Sequence, residues 1–191
     1  AYDAYGYGTY IVEPGTYYLA AGENAHDALN NILAAKGVSA VQGDNTKAHL
    51  YLVGSGECEQ KIREAIIRHQ LQDKVHLLGN RSDVAQLYQA ADLFLFPSKY
   101  EGFGTVMLEA QATALPVLAS DTIPHETKLC DCVQFISLNE SAMVWADAAE
   151  TMLKNSKRAD NTKLLQDAGY DIKTQYRMME AFYLDKSKTE G

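Results

Sequence analysis

Cysteine, proline and tryptophan are scarce in this 191-residue chain, at three, four and one residues, and what is missing narrows the fold classes. Three cysteines cannot all pair, and "CDC" at Cys130 and Cys132 has no companion Cys/His group at structural zinc spacing. A disulfide scaffold is therefore set aside, and reduced thiols are expected. His49, His69, His76 and His125 show no metal-ligand spacing either, so no metal is expected. No apolar run reaches the length of about eighteen residues that a membrane helix needs. The first residues have neither a basic start nor a signal-like apolar core, and the sequence reads as soluble, unprocessed and cytoplasmic. Basic residues are also short: 17 Lys and Arg stand against 25 Asp and Glu, a net charge of -8. Phosphate neutralisation needs a Lys/Arg-rich face, and these basic residues are scattered, which excludes nucleic acid as a bulk partner. An anionic ligand stays open if backbone amides hold it.

What is present is a globular composition, 47% hydrophobic and 22% charged. The length suits one domain over 1–191, with an irregular segment at 1–20 and a closing helix and tail at 170–191. From Ala48 the pattern alternates: "AHLYLVGSG" is an apolar run ending in glycines, and "ECEQKIREAIIRHQL" spaces Ile62, Ala65, Ile66 and Leu71 for a helix. "KVHLLG", "ADLFLFPS", "LPVLAS" and "VQFISL" read as further strands, and "DVAQLYQA", "GTVMLEAQATA" and "SAMVWADAAETMLKN" as helices. In the last of these, Trp145, Met143, Met152 and Leu153 are expected to pack on the core. Strand-helix repetition with short connections predicts an α/β fold, a Rossmann-like doubly wound parallel sheet with helices on both faces. Right-handed crossovers then bring every strand's C-terminal end to one edge, where ligands of such sheets bind.

The start is less regular. Six of twelve tyrosines fall in the first eighteen residues, and the segment reads as one or two strands, a glycine turn and a helix from about Ala25. "SAVQGDNTK" reads as a surface loop and "KNSKRADNTK" as a polar break. Beyond it an amphipathic helix carries Tyr176, Met179 and Phe182 on one side.

The chemistry concentrates in "PSKYEGFGTVMLEAQATALPVLAS". Pro97 stops a buried strand, "KYEGFG" forms a loop, and a helix starts near Thr105. Free N-H groups at that helix start, with glycines that let the backbone come close, can hold phosphate without a basic side chain. Glu101 in the loop and Glu109 one turn into the helix, eight residues apart, border the same pocket. A carboxylate beside phosphate needs another partner, and the paired hydroxyls of a sugar diol supply two donors. The ligand implied is a sugar diphosphate. Spacing alone leaves a second reading open, in which both glutamates are surface acids favouring a helix N-terminus.

This stretch resembles the E-x7-E region of retaining GT-B glycosyltransferases of the group 1, or family 4, type. "SDTIPHE", "ISLNESAMVWA" and "AGYDI" resemble the bacterial capsular and exopolysaccharide branch of that class. The resemblance runs from about Ala48 to Leu184 and implies the C-terminal, nucleotide-sugar-binding half of a two-domain enzyme. It implies further that Glu109 holds ribose hydroxyls and that Glu101, the catalytic candidate, faces the donor sugar. The backbone of Phe103 and Gly104 would meet the sugar, and that of Thr105 and Val106 the diphosphate. Leu78, Gly79 and Arg81 would lie beside the base, and Gly54 and Gly56 would line the cleft. An Arg after a strand can equally be a solvated surface residue.

A nucleoside diphosphate sugar is then the substrate, with no cofactor. The acceptor is a saccharide or lipid-linked saccharide, met through an N-terminal domain outside this sequence, in the cytoplasm or at the inner membrane face. The class carries Gly-Arg and Lys-Asn around its first helix, where this chain has "LAAGENAHD" with Glu23 and His26. That departure keeps a non-catalytic nucleotide-sugar-binding module open as the alternative. The class also has Gly mostly where Ala114 stands, a change expected to be tolerated at a helix end. A dinucleotide-binding domain would need G-x-G-x-x-G after its first strand, and "AAGENAHDA" does not supply it.

Overall fold

Each strand of the sheet is short and apolar, and each is laid parallel to its neighbours. The computed structural model describes residues 16–21, 48–155 and 157–189. Its strands are β1 (Thr16–Ala21), β2 (Ala48–Val53), β3 (Val75–Gly79), β4 (Leu93–Phe96), β5 (Val117–Ser120) and β6 (Val133–Ile136). They form one 6-stranded sheet in the order β3-β2-β1-β4-β5-β6, parallel throughout. The helices among the described residues are α1 (Glu59–Arg68), α2 (Val84–Ala90), α3 (Thr105–Ala112), α4 (Ala142–Asn155), α5 (Thr162–Asp167) and α6 (Ile172–Thr189). The doubly wound parallel sheet expected from the alternating pattern is the fold observed. The glycine turn and helix expected from Ala25, the "SAVQGDNTK" loop, Glu23 and His26 lie outside the described residues.

Strand β4 shows why both faces must be covered. All four of its residues are buried, and alternation sends Leu93 and Leu95 to one face and Phe94 and Phe96 to the other. The leucines join Leu50, Leu52 and Leu118 under Ile62, Ala65 and Ile66 of α1 and Trp145 and Ala149 of α4. The phenylalanines join Val117 and Ala119 under Tyr88 of α2 and Met107 and Ala110 of α3. Helices therefore lie on both faces. Trp145, Met152 and Leu153 pack on the first core as expected, whereas Met143 is exposed.

Three helices end in the same device. Leu71 N-H returns to Ile66 O, Leu115 N-H to Ala110 O, and Tyr170 N-H to Leu165 O, each closing a Schellman turn. The left-handed residue is Gln70 (φ 55°), Ala114 (φ 55°) and Gly169 (φ 84°), in that order. The tolerance expected for Ala114 is thus bought against a left-handed backbone, which costs a residue with a Cβ about 1–2 kcal/mol.

The "KNSKRADNTK" segment is no simple break. The Arg158 guanidinium donates to the carbonyls of Tyr88, Ala91 and Thr113, so one side chain caps the C-terminal ends of α2 and α3 together. Asn161 Nδ2 adds a bond of 3.1 Å to Gln111 O, and α5 follows at once. The expectation of reduced thiols is corrected at one place: Cys130 and Cys132, with Cα atoms 5.2 Å apart, form a disulfide, while Cys58 is free. Tyr176, Met179 and Phe182 of α6 face outward and are each about half exposed, at 54%, 52% and 53%. No helix among the described residues is long and apolar enough to cross a membrane.

Candidate functional site

The strand order reverses between β1 and β4, and in sheets of this kind ligands bind outside the carboxyl ends at that reversal. The register puts Ala21, Val53 and Gly79 side by side, and Ala20 opposite Leu95. Gly54 and Pro97, one step past β2 and β4, therefore flank the end of β1. Two interstrand spacings separate them, about 10 Å.

The β4 side carries the helix start. Gly104 is the N-cap of α3 with φ 81° and ψ 48°, a left-handed conformation natural to glycine. It is buried, and a Cβ there would stand 3.4 Å from Ile123 Cγ2 and 3.6 Å from Phe96 Cε1. Gly104 O takes the Met107 N-H at 2.9 Å. The Thr105 and Val106 N-H groups have no acceptor among the described residues. Two amides thus project from the positive end of the helix. Glu109 stands four residues after Thr105, on the same face of α3.

The loop in front of these amides is fastened from behind. Ser120 Oγ and Thr122 Oγ1 donate to Ser98 O at 2.5 and 2.7 Å. Ser98 Oγ in turn lies 2.9 Å from Glu101 Oε1 and 3.1 Å from Tyr100 O, so Glu101 is oriented by its own loop. The buried Gln111 side chain is fully used: Nε2 donates to Met107 O and Thr127 O, while Oε1 accepts from Leu129 N-H and Cys130 N-H. It ties α3 to the segment that follows β5. Nothing in the sequence pattern singled out Ser98, Ser120, Thr122 or Gln111.

Glu109 is exposed and accepts from the Tyr88 hydroxyl at 3.4 Å. Burial, and then the charge and hydrogen bond of Glu109, push the Tyr88 phenol well above its ordinary range, so it stays protonated as a donor. Phe103, 37% exposed, meets the Tyr170 ring at 5.9 Å.

The β2 side is looser. Gly54 (φ 123°) donates to Gly79 O at 2.9 Å, and Ser55 Oγ reaches Asn80 Oδ1 at 3.2 Å, which joins the two loops. A Cβ at Gly54, Gly56 or Gly79 would meet nothing within 4 Å. Leu78 is half-buried. Arg81 is exposed and held in a two-pronged pair with Asp83, at 2.8 and 2.6 Å, so its charge is already partnered within the chain. The structure thus gathers Gly54, Gly56, Leu78, Gly79 and Arg81 on one side of the β1 end, and Glu101, Phe103, Gly104, Thr105, Val106 and Glu109 on the other.

Two histidines without ligand spacing in sequence meet across strands. His49 Nδ1 lies 3.1 Å from His76 Nε2, and Tyr51 stacks on His76 at 4.7 Å. Burial, and next the charge of His49, hold His76 below the ordinary imidazole value. Among the described residues no three His, Cys, Asp or Glu side chains converge as a metal site would require.

Residues 2–165 match the family described as "Glycosyl transferases group 1". The chain is 30% identical over 149 residues to the putative glycosyltransferase EpsF of Bacillus subtilis, covering 76% of this chain and 39% of EpsF. Among solved structures it resembles Anabaena HepE in complex with UDP and glucose, with a TM-score of 0.70, 18% identity, and 90% of this chain and 48% of that one covered. It also resembles the C-terminal domain of the Francisella tularensis group 1 protein LpcC, with a TM-score of 0.65, 16% identity, and 83% and 88% covered. At these identities the structural likeness is one of fold. The chain spans less than half the length of the curated relatives it matches.

Proposed function

This chain belongs to the group 1 glycosyltransferases, and we infer that it is the donor-binding domain of a retaining enzyme that moves a hexose from a nucleoside diphosphate to a growing polysaccharide. The observation that carries this is the pair of Thr105 and Val106 amides at a glycine-capped helix start, bordered by two carboxylates at the reversal of strand order. The amides take the diphosphate, and their positive field grows in value as that group departs with its full charge. Glu101, oriented by Ser98, faces the donor sugar, and Glu109 takes the ribose diol. The open glycine loops at Gly54, Gly56 and Gly79 leave room for the base beside Leu78. With the sugar held so, an acceptor hydroxyl on the face of the leaving group gives retention. Likeness to relatives named for lipopolysaccharide core and O-antigen biosynthesis supports a polysaccharide product. The acceptor side, a saccharide or lipid-linked saccharide, belongs to a facing domain.

A sequence feature favours a second reading, the non-catalytic binding module. "LAAGENAHD" has no Arg or Lys, so the amides must offset the diphosphate charge with little help. Calorimetry with UDP, ADP and GDP and their hexose forms tests the main reading. Glu109→Ala is expected to weaken nucleoside diphosphate binding by about 1.5–3 kcal/mol. Glu101→Ala is expected to weaken a nucleotide sugar more than the bare diphosphate. Absence of binding to every nucleotide, or equal losses in the Glu101 variant, would sink the respective assignment. Glu23→Arg with His26→Lys is expected to tighten nucleoside diphosphate binding by about 1.4 kcal/mol if that loop faces the Thr105 amides, and unchanged affinity would place the loop elsewhere.

A further inference from the structure

We propose that Tyr88 is a positioning residue for Glu109: its buried hydroxyl sets which carboxylate oxygen is presented to a ribose. The proposal rests on the reading of Glu109 as the ribose acceptor and adds the residue that aims it. Tyr88 sits on α2 and Glu109 on α3, so the pair bridges two helices on the same face of the sheet. The Tyr88 side chain is 1% exposed, and its ring stands edge-on to Phe94 at 5.5 Å. Its backbone is fixed as well, because Arg158 Nη2 donates to Tyr88 O at 3.2 Å while Nη1 of the same guanidinium donates to Thr113 O at 3.3 Å. One cation thereby sets the spacing between the helix ends that carry the pair.

A buried phenol with one polar atom must place its proton somewhere, and the Glu109 Oε2 atom at 3.4 Å receives it. That distance is long for an O-H to oxygen bond, so the contact orients the carboxylate without saturating it. Glu109 is otherwise exposed on the helix, where its torsions would let the carboxylate swing into water. With Oε2 engaged from beneath, Oε1 and the remaining lone pairs are left for two neighbouring hydroxyls. A ribose presents such a pair at its 2′ and 3′ positions, and a 2′-deoxyribose does not. The Tyr88 hydroxyl thus sharpens the preference of Glu109 for ribose over deoxyribose, a role separate from the packing of its ring.

The test titrates the full chain and Tyr88→Phe with UDP and ADP, each against its 2′-deoxy counterpart. The unmodified chain is expected to prefer the ribonucleotide about tenfold, as a hydrogen bond to a charged group implies. Tyr88→Phe keeps the ring against Phe94, so diphosphate binding should persist while the preference falls to about two- to threefold. A preference undiminished in Tyr88→Phe overturns the proposal and leaves the ribose reading standing. No preference in the unmodified chain overturns the ribose reading and the proposal with it. If Tyr88→Phe does not fold, the unmodified chain decides: the Tyr88 hydroxyl proton should be a protected resonance near Glu109, displaced by saturating UDP and not by saturating 2′-deoxy-UDP. A resonance that responds equally to both contradicts the proposal.

Discussion

The two sides of the sheet edge are built on different principles. Beside β4 and β5 the loop is fastened by side-chain hydrogen bonds: Ser120 and Thr122 hold Ser98 O, Ser98 holds Glu101, and Gln111 joins α3 to residues 127–130. Beside β2 and β3 the loops meet at Gly54 and Gly79 and through Ser55 and Asn80, and their glycines face empty space. The fixed side presents the Thr105 and Val106 amides, where preorganised dipoles have most effect because they need not reorient as charge develops. On the proposed reading, the open side would face the part of the ligand that undergoes no chemistry and can tolerate adjustment. Rigidity is thus concentrated where charge would change.

Removing the Gln111 side chain should break the contrast most strongly. Gln111→Met keeps the volume but leaves the Leu129 and Cys130 N-H groups without an acceptor, and should cost about 3 kcal/mol of stability in denaturant melts. A loss no greater than that of a surface change would mean that the segment after β5 is held some other way. Gly104→Ala comes next. Its Cβ fits at ordinary contact distance, but a φ of 81° strains it by about 1–2 kcal/mol, and the displaced helix start should weaken pyrophosphate binding in parallel. Unchanged affinity would separate Gly104 from the amide pocket.

A change of opposite sign sharpens the comparison. Ala114→Gly relieves a left-handed alanine at the end of α3 and, after the added freedom of the unfolded chain, should stabilise by about 0.5–1 kcal/mol. A destabilised Ala114→Gly would show that the alanine methyl contributes more by packing than its backbone costs. The smallest effect is expected on the open side, where Gly56→Ala should stay within about 0.5 kcal/mol. A loss matching that of Gly104→Ala would erase the distinction between the two sides.

Much of this architecture is legible in the sequence, because strands such as "LFLF" are buried on both faces and need no partner to reveal them. The helix start at Thr105 is legible for the same local reason: Pro97 ends a strand, and the Gly102 and Gly104 turn can only lead out of it. What escaped is long-range polar pairing. Arg158 lies in a run that reads as a break, yet its partners at Ala91 and Tyr88 are 67 and 70 residues away and leave no periodic trace. Gln111 in mid-helix looks like any solvated glutamine until the segment 16 to 19 residues later folds back on it. Arg81, placed beside the base by the resemblance, also pairs with Asp83 two residues on, a contact that the strand-helix pattern does not announce.

The central claim is that the amides at the start of α3 bind a diphosphate, and an isotope-labelled chain titrated with UDP and with inorganic pyrophosphate tests it most directly by amide resonance shifts. Thr105 and Val106 should show the largest displacements, with Gly104 close behind, and pyrophosphate alone should reproduce them while leaving the resonances of Gly54 to Gly56 in place. Saturating binding that leaves Thr105 and Val106 unmoved would contradict the account.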